Sequence, residues 1–321
     1  MTEILKVEHL KKYFTKKGMF GGKIATVRAT DDVSFSLGIG EVLVLAGESG
    51  SGKSTIAKLI LRTIEPDSGK IFFEGYEIDD EKKNLEKIRM NCQMIHQDPY
   101  DSINPRMKIA DIVAEPLEIH NIGNKKDRIK RVIEVLQEVK LEPAEEIMKK
   151  YPHMLSGGQR QRIVLARALS LKPKIIIADE PVSMLDVSIR AEMLELMHEL
   201  QKKYSISFIY ITHDLATARY FGQKIAILYS GKIVETGPIN QVLLKPKHPY
   251  TQALIDAISE PDPDNLKRER KIRIKDATNE DPFHGCRFRA RCPYVIEKCI
   301  EEPELLEISD GQFAACHIKL D

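Results

Sequence analysis

Apolar positions near the start of the chain alternate with polar ones: Leu5, Val7 and Leu10, then Val33, Phe35 and Leu37. That period predicts two strands, separated by a Lys- and Gly-rich loop from Lys16 to Lys23. Glu41 to Ala46 is a short apolar run ending at Gly47, and from Lys53 to Arg62 the residues Ile56, Leu59 and Ile60 recur at helical spacing. The order is strand, glycine loop, helix. From Ile109 to Lys150 the pattern is helical and charged: Ile112, Val113, Leu117, then Ile129, Val132, Ile133, Leu136 and Val139 recur at three- and four-residue steps, which predicts a helical insertion. Two continuous apolar runs, Ile175 to Ala178 and Ile206 to Ile211, each follow a helical stretch. This alternation predicts a parallel sheet with helices on both faces. Gly231 to Gly237 reads as a hairpin strand, and the Pro- and charge-rich stretch from Pro261 to Asn279 marks the main boundary before a small cysteine-bearing tail.

Length adds a second unit to this picture, since 321 residues at about 150 per domain suggest two. The 49 Lys and Arg against 48 Asp and Glu leave a formal charge of +1, which argues against a bulk binder of polyanions. A composition 42% hydrophobic and 30% charged, without low-complexity tracts, excludes disordered, collagen-like and disulfide-scaffold classes. No apolar run approaches the roughly 18 to 20 residues that cross a bilayer, and Met1 to Leu10 lacks a basic start and apolar stretch. A cytosolic chain is expected. There, Cys286, Cys292, Cys299 and Cys316 suggest a metal or cluster before disulfides, and Cys92 reads as a buried strand residue.

Three motifs carry chemistry. Gly47-Glu-Ser49-Gly50-Ser-Gly52-Lys53-Ser54-Thr55 fits the phosphate-binding loop pattern and sits, as that pattern requires, after a strand and before a helix. Its glycines let backbone N–H groups converge on a phosphate at a helix N-terminus; Lys53 reaches the β- and γ-phosphates and the Ser54 hydroxyl ligates Mg²⁺. The strand Ile175 to Ala178 ends in Asp179 and Glu180, suited respectively to the Mg²⁺ shell and to polarising an attacking water. Ser156-Gly157-Gly158-Gln159 opens a second helix whose start suits an anion.

Leu155-Ser-Gly-Gly-Gln159 resembles the signature of ABC-type ATPases, in which two nucleotide domains sandwich two ATPs. The resemblance implies an α/β P-loop ABC ATPase fold: a RecA-like core, an antiparallel β subdomain, a helical subdomain at about residues 98–170, and a C-terminal extension. Residues 1–260 would form the nucleotide-binding domain and 261–321 the extension. It further implies that Ser156, Gly157, Gly158 and Gln159 face ATP held on a partner's loop, and that Gln97 contacts Mg²⁺ and water. Asp186 would reach across the dimer, and His213 would act with Glu180 and Lys53 on the γ-phosphate and water. An aromatic ring, Phe14 or its neighbour Tyr13, would stack on adenine. A second function class, an ABC ATPase working on nucleic acid or ribosomes, is opposed by the single cassette and the near-neutral charge.

Lys11 to Phe20, Asp179 to Ser188 and Lys247-His-Pro-Tyr-Thr-Gln-Ala-Leu254 closely resemble the ATPase subunits of oligopeptide/dipeptide importers, whose branch also includes importers of nickel and oligosaccharides. The implied partners are a second ATPase subunit, expected to be a paralogue in a heterodimer, two membrane permeases and an extracytoplasmic solute-binding protein. The chain would sit peripherally on the cytoplasmic face of the membrane. The tail spacing, C-x5-C-x6-C-x16-C, lacks the CxxC pairs common in structural zinc sites. By the same resemblance its four thiols are ligands of a [4Fe–4S] cluster, with zinc or unligated thiols as alternatives. Arg287, Arg289 and Arg291 would offset the cluster's charge or lie as solvated surface charge.

Overall fold

The computed structural model describes residues 2–17, 23–79, 81–257 and 284–318. In chain order the elements are β1 (Glu3–Lys17), β2 (Lys23–Gly38), β3 (Val42–Ala46), α1 (Lys53–Ile60), β4 (Ser68–Phe73), β5 (Tyr76–Glu77), α2 (Lys82–Asn91) and β6 (Cys92–Ile95). Helices α3 (Pro99–Ser102), α4 (Ile109–Ile119), α5 (Lys125–Glu138), α6 (Ala144–Ile147) and α7 (Gly157–Leu169) follow, then β7 (Ile175–Asp179), α8 (Val187–Tyr204), β8 (Ser207–Thr212) and α9 (Leu215–Phe221). The chain continues through β9 (Lys224–Tyr229), β10 (Lys232–Pro238), α10 (Ile239–Leu244) and α11 (Pro249–Asp256) to β11 (Leu306–Ser309) and β12 (Gln312–Ala314).

These elements fall into two compact units, one of residues up to Leu5 with Leu37–Val42 and Phe72–Ile211, the other of Lys6–Ser36, Leu43–Ile71 and the chain from Thr212 onward. In the first unit β6, β7 and β8 are parallel neighbours, with Ile177 of β7 level with Met94 on one side and Ile209 on the other. Every residue from Ile175 to Ala178 is buried, which is why this strand reads as an unbroken apolar run rather than an alternating one. The helical insertion is α4, α5 and α6. Ile109, Ile112, Val113, Val132 and Leu136 are its core, so most of the apolar positions read from the sequence are packing surface, whereas Ile129 in the first turns of α5 is exposed. Asn124 and Asp127 close the start of α5 as a reciprocal capping box.

In the second unit the strand order is β11-β12-β10-β9-β3. Strands β3 and β9 are parallel, while β10 returns antiparallel to β9 as the hairpin that Gly231 to Gly237 predicts. The C-terminal segment adds to the same sheet: β12 pairs antiparallel with β10, level at Glu235 and Ala314, and β11 pairs with β12. Strands this short carry little periodic signal, and the sequence pattern does not announce them. The boundary read at Pro261 to Asn279 lies outside the described residues. Cys92 lies on β6 and is buried, as expected, and desolvation pushes its thiol pKa up. Among the described residues no helix is long and apolar enough to cross a membrane.

Candidate phosphate site and its supports

The loop between β3 and α1 is shaped by two glycines in conformations that L side chains rarely adopt. Gly47 has φ +149° and Gly52 has φ +106°, and a Cβ on either would run into a backbone carbonyl oxygen, that of Leu228 or Ala29. Lys53 is only 7% exposed. Its ammonium donates to the carbonyls of Gly47 and Glu48, both at 2.8 Å, and to Ser51 Oγ at 3.3 Å. Helix α1 begins on Gly52 with no side-chain cap and no acidic residue in its first turn. Its N-cap glycine brings no side-chain acceptor to the leading N–H groups, and the positive end of the helix dipole faces whatever lies against the loop. Ser49, Gly50 and Ser54 are exposed and Thr55 half-buried. This arrangement can hold an anion such as a phosphate.

The acid pair ends β7 in the first unit. Glu180 has φ +48°, a left-handed conformation costly for a non-glycine residue and therefore worth a functional explanation. Its N–H donates to the Ile211 carbonyl at 2.9 Å, and its own carbonyl accepts the Ser183 hydroxyl at 2.9 Å. The Gln97 amide donates to Glu180 Oε2 at 3.0 Å, so two of the expected site residues, 83 positions apart, meet directly. Asp179 is half-buried beside Glu180. His213 follows β8 and is exposed, immediately before Asp214, whose carboxylate caps α9.

The signature segment is built otherwise. Ser156 Oγ accepts the Gln159 N–H at 3.3 Å and Gln159 Oε1 accepts the Ser156 N–H at 3.1 Å, a reciprocal box at the start of α7. Gly157 faces open space, while a Cβ on Gly158 would press Ile189 Cγ2 of α8 at 2.6 Å. Asp186 is the exposed N-cap of that same α8.

Tyr13 and Phe14 separate clearly. The Tyr13 hydroxyl bonds to Asp31, and burial together with that carboxylate pushes its pKa up to about 12. Phe14 is 45% exposed with the Lys12 ammonium 5.8 Å from its ring centre, which leaves it the accessible ring of the two. Lys12 itself pairs with Asp67 at 2.9 Å. Asp31 also accepts from Arg287, which is buried. Burial opposes ionisation of Asp31, but the Tyr13 hydroxyl and Arg287 outweigh it and hold the carboxyl below its ordinary pKa.

Several supports of the loop escape motif reading. The Glu48 N–H donates to the Tyr250 hydroxyl at 2.8 Å, which gives the Tyr of His-Pro-Tyr-Thr a place behind the phosphate loop. Arg291 grips the Glu48 carboxylate with two bonds, 2.9 and 3.1 Å. Phe288 packs its ring on Tyr229 and Tyr250 at 5.3 and 5.5 Å between centroids. Of the three arginines flanking the cysteines, Arg287 and Arg291 therefore bond to Asp31 and Glu48, and neither is the solvated surface charge that is one reading of the sequence.

Cys286, Cys292 and Cys299 are buried and Cys316 half-buried. The Cys286 N–H donates to the Cys299 carbonyl at 3.0 Å. Burial, with the other three thiols nearby, pushes the Cys286 pKa up to about 11. The expected ligand set is thus gathered in one region. Its members do not close on a single ion: among the described residues no three His, Cys, Asp or Glu side chains are grouped to hold one metal.

A glycine loop that leads from a buried strand into an uncapped helix start defines a P-loop nucleotide-binding protein. A family model described as ABC transporter matches residues 30–183, and one described as oligopeptide/dipeptide transporter, C-terminal region, matches residues 234–299. A probable peptide ABC transporter ATP-binding protein of Sinorhizobium fredii is 43% identical over 98% of this chain and 90% of its own length. The oligopeptide transport ATP-binding protein AppF of Bacillus subtilis is 41% identical over 98% of this chain and 97% of its own. Among solved structures, cbiO1 of Clostridium perfringens, part of an ABC transporter complex, matches with TM-score 0.65 and 28% identity over 76% of this chain and 92% of that one. A dimeric ATP-binding cassette solved with ADP and phosphate matches with TM-score 0.64 and 29% identity over 73% of this chain and 98% of that one. The chain belongs to the ABC transporter ATP-binding family, in the branch that carries the oligopeptide/dipeptide transporter C-terminal region. It is an ATPase of the ABC type, with the α/β P-loop fold of that family.

Proposed function

We propose that this ATPase drives peptide uptake by an ABC importer, docked peripherally on the cytoplasmic face of the membrane against two permease subunits and supplied by an extracytoplasmic solute-binding protein. The carrying observation is the loop from Gly47 to Thr55, with Lys53 buried beneath it and the uncapped start of α1 behind it. On this reading Gly47, Ser49, Gly50, Gly52, Lys53 and Thr55 hold the phosphates and Phe14 covers adenine. Ser54, Gln97 and Asp179 hold magnesium, which when bound offsets phosphate charge. Glu180 accepts a proton from the attacking water, the Gln97 amide fixes the orientation of its carboxylate, and His213 contacts the γ-phosphate.

The signature residues Ser156 to Gln159, with Asp186, complete the site of a second ATPase subunit, a paralogue of this chain. Binding energy from two shared ATPs exists only in the closed pair, which is the differential affinity that an opening and closing cycle requires. The dimeric cassette among the structural relatives supports this arrangement. Residues 1–260 form the nucleotide domain in this reading and 261–321 its extension, whose Cys286, Cys292, Cys299 and Cys316 hold a [4Fe–4S] cluster as a structural staple. The names of the most similar relatives favour peptide over nickel or oligosaccharide. Deleting the subunit should abolish uptake of labelled peptide and Glu180→Gln should fail to restore it; unaffected peptide uptake with lost nickel or oligosaccharide uptake would reassign the solute. Anaerobically purified protein should carry iron and sulfide and absorb at about 400 nm, whereas a colourless zinc protein would remove the cluster.

A further inference from the structure

Within Gly47 to Thr55 the sole acidic residue is Glu48, and its side chain is 44% exposed. A carboxylate beside a polyphosphate opposes its binding, unless a cation takes up the charge and holds it aside. Arg291 does both through its paired bonds to the two Glu48 oxygens, a bidentate geometry that fixes direction as well as charge. The guanidinium is held in turn by the Tyr229 hydroxyl at 3.3 Å and lies 5.8 Å from the ring centres of Tyr229 and Phe288. Glu48 is therefore fixed at its side chain by Arg291 and at its backbone by Tyr250. The same short stretch, Cys286 to Cys292, sends Arg287 to Asp31, the partner of Tyr13 on the strand that carries Phe14. One C-terminal segment thus touches the phosphate loop directly and reaches the strand of the aromatic pair through Asp31 of β2.

We propose that Arg291 is a positioning residue for the nucleotide: it neutralises Glu48 and turns it away from the phosphates, so that the cysteine-bearing segment sets the affinity of the loop for ATP. This rests on the reading that Gly47 to Thr55 holds the phosphates of ATP.

The test uses the full-length chain, with ATP affinity measured by equilibrium binding and steady-state hydrolysis measured in the assembled transporter. Arg291→Ala should weaken ATP binding about three- to tenfold at low salt, a figure kept modest because both partners are partly exposed. The loss should shrink as salt rises and screens the freed carboxylate. It should appear in KM, with kcat at saturating ATP held within about twofold, because only the approach of the nucleotide is opposed. Adding Glu48→Gln to Arg291→Ala should restore affinity, since no charge is left to oppose the phosphate. Arg291→Lys keeps the charge and the stem and should lie between the two; it carries the test should Arg291→Ala not fold. An unchanged ATP affinity in Arg291→Ala, or a loss that persists in the double variant and at high salt, overturns the inference and leaves Arg291 a packing residue. Lys53→Ala separates the two levels: ATP affinity unchanged in that variant would overturn the phosphate-loop reading itself, and the inference with it.

Discussion

Two helices of this chain begin on glycine-rich segments, and they begin differently. Helix α1 starts on Gly52 with no side-chain cap, whereas α7 starts inside a reciprocal box between Ser156 and Gln159. An uncapped start at the end of a buried strand leaves donors in need of an acceptor, so the first helix is ready to take a phosphate by itself. A start satisfied by its own side chains has far less to gain from a lone anion. Its serine hydroxyl keeps a hydrogen to donate, however, and can serve a nucleotide already held elsewhere. The contrast gives physical content to the two roles: one start binds, the other completes.

Replacing Glu180 with Gln breaks turnover without touching either helix start. Hydrolysis should fall by about a hundredfold to ten-thousandfold, the usual reach of a lost general base, while ATP binding survives. Steady-state hydrolysis and nucleotide binding on the same preparation check it. In that background the starts can be compared by binding alone. Lys53→Ala should cost about a hundredfold in ATP affinity, because the charged donor beneath the loop is lost. Ser156→Ala should leave the affinity of the single chain within about twofold and destabilise the fold by about 1 kcal/mol, the worth of an N-cap, as thermal unfolding would read. Equal losses of single-chain affinity from both substitutions would erase the distinction.

A third helix start responds to acid, and its test involves no nucleotide. His248 caps α11 by accepting the Tyr250 N–H on Nδ1 at 3.0 Å, and burial drives its pKa down to about 3. The unfolded chain takes up this proton near pH 6.5 and the folded one does not, so stability present at neutral pH drains away as pH falls from about 6.5 toward 3, by at most about 1.4 kcal/mol per pH unit. His248→Asn keeps an acceptor at the cap and should flatten that slope in urea titrations run at several pH values. An unchanged slope would assign the acid sensitivity to other groups.

The phosphate loop, the acid-ended strand and the helical insertion are legible in the sequence because each is written locally: a run of glycines, an unbroken apolar strand, a stripe at helical spacing. The supports of the loop are not. Arg291 and Glu48 stand 243 positions apart, and Tyr250 and Glu48 stand 202 apart, so no window of sequence joins them. Arg287 and Arg291 read from sequence either as charge beside the cysteines or as solvated surface charge, because neighbours in the chain are the only cue there. The choice between Tyr13 and Phe14 likewise waited on Asp31, which occupies the Tyr13 hydroxyl. The four cysteines are legible as a group, while Cys316 follows strand β12, too short to show a period.

The most direct measurement is sedimentation of the Glu180→Gln chain together with its companion ATPase subunit, with and without ATP and magnesium. The expected result is a two-ATPase species that forms only with nucleotide and is lost when Lys53→Ala is added. Single subunits throughout, at nucleotide concentrations that saturate the loop, would contradict the claim that the signature start of one chain completes the phosphate site of another.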